Sequence, residues 1–184
     1  MSAPQADPCP YEQSGATSSF GAVLDCEAVI RFVPRRNELL REGDRWRLAP
    51  SSFAKDDING VLDKGERRSV SSFRGGGKTP YDALVDRACS RNTEPDWVKD
   101  PVVAKAQVSD LRKIYDPSGR REICVYADTT DATDPFGICD GHASIRKSEP
   151  AFERHERQNI AIFRSQLSDA FTEIRHLISG HGVE

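Results

Sequence analysis

Near the C-terminus large apolar residues return at steps of three and four: Ile160, Phe163, Leu167, Phe171, Ile174 and the pair Leu177-Ile178, with Gly180 just beyond. Residues at that spacing lie on one face of a helix, and a glycine after the last of them is a common stop. The pattern predicts one long amphipathic C-terminal helix. An apolar stripe has to be covered, so the helix requires a sheet or a partner to lie on. Its ordinary place is over a sheet of the same chain; the alternative is a seam for a homodimer or a protein partner.

The rest of the chain supplies strands for such a sheet. Ala28-Val29-Ile30-Arg31-Phe32-Val33 reads as a first strand stopped by Pro34, and Arg45 to Leu48 alternates polar with apolar. Arg68 to Phe73 is strand-like, Ile123 to Tyr126 is the clearest strand, and His142 to Arg146 reads as an edge strand. Between them the spacing predicts short helices: Glu38 to Arg41 after the cap Asn37, Pro80 to Cys89 after the cap Thr79, and Val102 to Ile114. The expected fold class is therefore α/β, with α+β as its alternative: a single mixed sheet of about four to six short strands covered by helices. Residues 1–20 hold Pro4, Pro8, Pro10, Gly15 and five Ser or Thr with few aliphatics, which predicts a disordered tail over residues 1–22 and one globular domain over 23–184.

Composition narrows the class. At 184 residues the chain has the length of one domain, and its 37% hydrophobic content suits a packed core. No run approaches the ~18 apolar residues of a membrane helix, and Met1 to Ser19 lacks the basic start and apolar stretch of a secretory signal. Membrane association is not expected. Cys9, Cys26, Cys89, Cys124 and Cys139 are widely spaced and odd in number, which reads as reduced thiols in a cytosol. The net charge is -3, but Arg31 to Lys78 carries twelve Lys or Arg against seven Asp or Glu. That asymmetry marks a possible anion-binding stretch and is too weak for a nucleic-acid coat.

Within this basic stretch Ser69, Ser71, Arg74, Gly75, Gly76, Gly77 and Lys78 read as strand, glycine loop and helix start, an arrangement suited to phosphate. Gly77-Lys78-Thr79 imitates the ending of a triphosphatase phosphate loop, yet Ser72 stands where that motif needs its first glycine. Cys139-x-x-His142 has zinc-like spacing without a second tight pair, so no metal site and no cofactor are assigned. There is no Gly-x-Ser-x-Gly elbow; His142, at the start of a strand after an Asp-rich loop, is the candidate general base.

Two resemblances attach to these residues. Arg31 on a strand followed by Ser69-Val70-Ser71 resembles the arginine and serine parts of the ADP-ribosyltransferase pattern. That resemblance implies that Arg31 and the serines hold a dinucleotide while a glutamate supports the ribosyl transition state. The family's Glu-x-Glu or Gln-x-Glu is missing, and Glu122 is the best-placed acid. Arg31, Ser52 in Ser51-Ser52-Phe53, Ser69-Val70 and the late His142 together are also similar to a group of small bacterial proteins with no assigned activity.

Two functions follow. One is a non-catalytic binding or accessory component of a multi-protein bacterial operon. The other is a nucleotide- or phosphate-binding enzyme, with Arg31, Ser52, Ser71, Arg74, Gly76, Gly77 and Lys78 holding the ligand and His142, Ser69 and Glu122 acting in catalysis.

Overall fold

The computed structural model describes residues 7–10, 12, 19–35, 38–54, 58, 70–75, 97–128, 141–148, 157–176 and 182–183. Its strands are β1 (Ala28–Arg35), β2 (Leu39–Glu42), β3 (Arg45–Leu48), β4 (Val70–Arg74), β5 (Trp97–Gln107), β6 (Ile123–Ala127), β7 (His142–Lys147), β8 (Glu173–His176) and β9 (Gly182–Val183). Its helices are α1 (Val108–Arg112) and α2 (Arg157–Ala170), with a 3-10 turn at Pro50–Ser52. Seven strands form one sheet in the order β6-β7-β4-β1-β5-β8-β9, and β2-β3 form a separate hairpin. Every pairing is antiparallel.

This corrects the expected α/β class. The chain is mostly β among its described residues: an antiparallel sheet with two helices, not a mixed sheet clothed in helices with a long terminal helix. Three local readings changed with it. Val102 to Gln107 is strand because its pattern has period two, with Val102, Ala104 and Ala106 in the main core while Val103 belongs to a separate cluster on the opposite face. The segment expected as a helix over Glu38 to Arg41 turns at Gly43 (φ 61) and pairs Leu39 with Leu48. A two-residue Gly-Asp loop between short strands is a hairpin signal, and it outweighs the Asn cap. The C-terminal helix stops at Ala170, after which Glu173 to His176 pair with β5.

Part of the apolar stripe is buried although it does not lie on one helix, and Leu177-Ile178 lie outside the described residues. Phe163, Leu167, Phe171 and Ile174 are all buried in the main core, two of them after the helix has ended. Alternation then divides the sheet. One face carries Val29, Val33, Val70, Val102, Ala104, Ala106, Ile123, Val125, Ala127, Ala143 and Ile145 in the core shared with α1 and α2. The other carries Ile30 with Phe32 and Val103, and Cys124 with Tyr126 and Cys9. β1 and β5 lose register between Val33 and Arg35, where Pro34 and Pro101 cannot donate to the ladder.

β7 is interior, between β6 and β4, where the sequence suggested an edge. Cys9 and Cys124 form a disulfide across 115 residues, which corrects the reading of reduced thiols for that pair; Cys26 is free and exposed. Within the expected tail, Cys9 and Glu12 are buried against β6. No described helix is long and apolar enough to cross a membrane.

Candidate functional site

The two faces separate the residues that the sequence offered as one site. Arg31 stands between Val29 and Val33 on the main-core face. Its Nη2 donates to the Ser52 carbonyl at 2.7 Å, and its guanidinium lies 5.2 Å from the centre of the Phe53 ring. Ser52 is buried, with its hydroxyl donating to the Ala49 carbonyl at 2.7 Å. The structure therefore joins Arg31 to the Ser51-Ser52-Phe53 segment, through a backbone carbonyl rather than the serine side chain. Arg164 of α2 donates to the Pro50 carbonyl at 2.7 Å and fastens the same turn from the other side.

Arg74 lies deeper. It is fully buried, and its Nε and Nη2 grip both carboxylate oxygens of Glu27 at 2.8 and 2.7 Å. Nη1 donates to the Gly21 carbonyl at 2.7 Å and Nη2 also to Ala22 at 3.1 Å, while the Phe20 ring lies 5.9 Å away. A guanidinium has five N–H donors, and four are engaged here by groups that fix the 20–27 segment. Arg74 is thus occupied as a clamp and not presented to a phosphate. Ser72 sits inside β4 with its hydroxyl on the Ala143 carbonyl at 2.8 Å, so the position matching the phosphate loop's first glycine lies in mid-strand. The Gly75 amide donates to Ala28 at 2.8 Å. Ser69, Gly76, Gly77 and Lys78 lie outside the described residues, and Ser71 is described only as a backbone position of β4, paired with Ser144.

His142 belongs to the opposite face. It pairs with Phe73, and the Phe32, Phe73 and His142 rings run edge to face across β1, β4 and β7, with centroids 5.6 Å apart at each step. His142 Nδ1 lies 3.0 Å from the Asp128 carbonyl, which can only accept. Nδ1 therefore carries the hydrogen, and in the neutral ring the lone pair is on Nε2. The Ser144 hydroxyl donates to Asp128 Oδ2 at 2.6 Å, and Arg146 stands 3.9 Å from the same oxygen while covering the Tyr126 ring at 5.5 Å. This row has a base-capable imidazole, a carboxylate and a hydroxyl. The hydroxyl is turned to Asp128 and not to His142, so it is not a nucleophile relay. Glu122 precedes β6 at its other end, six residues from Asp128, or roughly 20 Å along an extended chain.

A third cluster was not foreseen. Glu12 Oε1 accepts from the Val125 amide at 2.6 Å, from Arg112 Nε at 3.3 Å and from Arg121 Nη2. Arg112 also reaches Asp25 at 2.5 Å and the Val23 carbonyl at 2.9 Å. The hydrogen bond from Arg112 holds the Asp25 carboxyl below its ordinary value. Cys9, Glu12 and Cys124 place three potential ligand atoms within 4.8 Å of one another. The two sulfurs are bonded to each other and the carboxylate oxygen faces two guanidiniums, so this donor set does not suit a cation. Cys124 is likewise committed to Cys9.

No family model matches the chain, and neither a curated protein nor a solved structure matches it.

Proposed function

We propose that the protein is a non-catalytic binding component of a multi-protein assembly, acting in the cytosol. The observation that carries this reading is the separation of the candidate ligand-holding residues from the candidate base. Arg31, Ser52 and Arg74 are engaged by internal partners on one side of the sheet, and the His142 row lies on the other. The apolar stripe of the C-terminal segment covers the chain's own sheet, which leaves Ile162 as the large exposed apolar residue of α2. The β2–β3 hairpin is better suited to a partner. Leu40 and Trp46 are exposed there, and Arg41 lies over the Trp46 ring. Exposed Trp and Arg are the residue types that anchor protein interfaces.

A thermal-shift panel with NAD, ATP, GTP and inorganic phosphate is expected to leave the melting temperature unchanged. Purified from its native cell, the protein is expected to retain a stoichiometric partner that Trp46→Ala releases. A ligand at a hundred times its Kd would add about 2.7 kcal/mol of stability. A shift of that size with any nucleotide, from a chain that retains no partner, would replace this reading with a nucleotide-binding enzyme.

A further inference from the structure

We propose that the outer edge of β6 is a docking strip for an extended, acidic segment of a partner protein, and that the Cys9–Cys124 disulfide gates it by holding the chain's own Glu12 there. β6 is the terminal strand at its end of the described sheet, and all five of its residues are buried. Among the described residues, three of its outward backbone groups are met by side chains. Glu12 takes the Val125 amide, Arg121 Nε donates to the Ile123 carbonyl at 2.7 Å, and Arg112 Nη2 reaches the Val125 carbonyl at 3.4 Å. An uncovered edge of this apolar composition pairs readily with an added strand. Glu12 occupies the place of that strand, and Cys9, three residues before it, is bonded to β6 itself.

Charge selects the occupant. With Glu12 withdrawn, Arg112 and Arg121 remain beside the bare edge. A second copy of β6 would bring two more guanidiniums against them and be repelled. An added strand would take the Val125 amide with its own backbone carbonyl, and a Glu or Asp on it would give the two arginines a carboxylate in place of Glu12. Opening is a thiol–disulfide exchange. One thiolate of a dithiol reductant attacks a sulfur of the pair, the Cys9–Cys124 bond breaks to give a mixed disulfide, and the reductant's second thiol closes its own disulfide. Cys9 and Cys124 leave as thiols, and the reductant has lost two electrons and two protons. In a cytosolic protein such a bond is typically transient or redox-sensing. The inference gives a partner class to the binding role proposed above and rests on that role; the nucleotide panel and the test below fail independently.

The probe is a labelled synthetic peptide of this chain's residues 7–14 carrying Cys9→Ser, and the receptor is the full chain carrying Cys9→Ser and Glu12→Ala, which removes the side chain that covers the Val125 amide and keeps both arginines. The peptide is expected to bind this variant at least about tenfold more tightly than the oxidised wild type, and Glu12→Gln in the peptide to cost about tenfold. Equal binding to the oxidised wild type, indifference to the peptide's Glu12→Gln, or no binding to a folded variant overturns the proposal. Should the variant not fold, amide exchange in the wild type decides it. Reduction by a phosphine is expected to speed exchange at Val125 by about tenfold or more while Val29 stays protected; unchanged protection at Val125 overturns it.

Discussion

Arg74 and Glu12 are both buried charges that tie the N-terminal segment to the sheet, and they are accommodated in different ways. Arg74 meets a single carboxylate fork to fork and places two further contacts on backbone carbonyls, so four of its five donors meet an acceptor. At Glu12 one oxygen is shared by two guanidiniums and an amide, and both arginines keep some exposure, 16% and 20%. The first arrangement is closed. The second is crowded, and covalently tethered through Cys9. A buried ion pair resists change when each charge has one geometric answer; an oxygen with several suitors can be replaced by another carboxylate.

The largest test of this contrast is Glu27→Gln. It leaves the Arg74 charge buried without its counter-charge, and we expect a loss of about 3–5 kcal/mol in urea unfolding. A loss under about 1 kcal/mol would show that the fork does not hold the segment. Glu12→Gln is expected to cost less, about 1–3 kcal/mol, since the amide contact to Val125 can persist and the arginines can turn to water. If Glu12→Gln proves the costlier of the two, the comparison is reversed.

Asp25→Asn comes next. Asp25 is 70% exposed, so its pair with Arg112 should contribute below about 1 kcal/mol and fade in high salt. Its carboxyl is held below its ordinary value by the Arg112 hydrogen bond. A depressed folded pKa stabilises above the unfolded pKa, and the contribution is lost as pH falls through the folded value. Wild type and Asp25→Asn should therefore differ near neutrality and converge in acid. The smallest effect is expected at Glu173→Gln. There the Lys105 hydrogen bond at 2.8 Å lowers the glutamate in the same sense, with both side chains 32% exposed. Its acid convergence should resemble that of Asp25, and a difference that grows as pH falls would contradict the assignment of both carboxylates.

What could be read from the sequence follows what is local. β1, β3 and β6 were visible because their alternation or apolar run lies within a few residues. The stripe from Phe163 to Ile174 was also visible, but its three- and four-residue steps serve equally a helix ending at Ala170 and a strand beginning at Glu173. Only pairing with β5 separates these two outcomes. Arg31 and Ser52 were both legible as candidate positions but not as partners of each other, and the carbonyl that joins them carries no local mark. The fate of Arg74 depended on Glu27, 47 residues earlier, and Cys124 on Cys9, 115 residues earlier. Neither partner carries a local mark. The opposition of Arg31 and His142 is likewise a matter of register, since a shift of one residue moves a side chain to the other face.

The place of β1 has a consequence for how the protein is made. It is the earliest of the described strands in chain order, yet it lies in the middle of the sheet between β4 and β5. At roughly 5–20 residues per second, β5 is complete some 4–15 seconds after β1 has been synthesised, and β8 later still. Until β4 is made the nascent chain holds an apolar strand with two open sides, and until β5 is made one side stays open. A strand left open in this way is prone to aggregate, and conditions that slow elongation between β1 and β5 should be where the yield of native protein falls first.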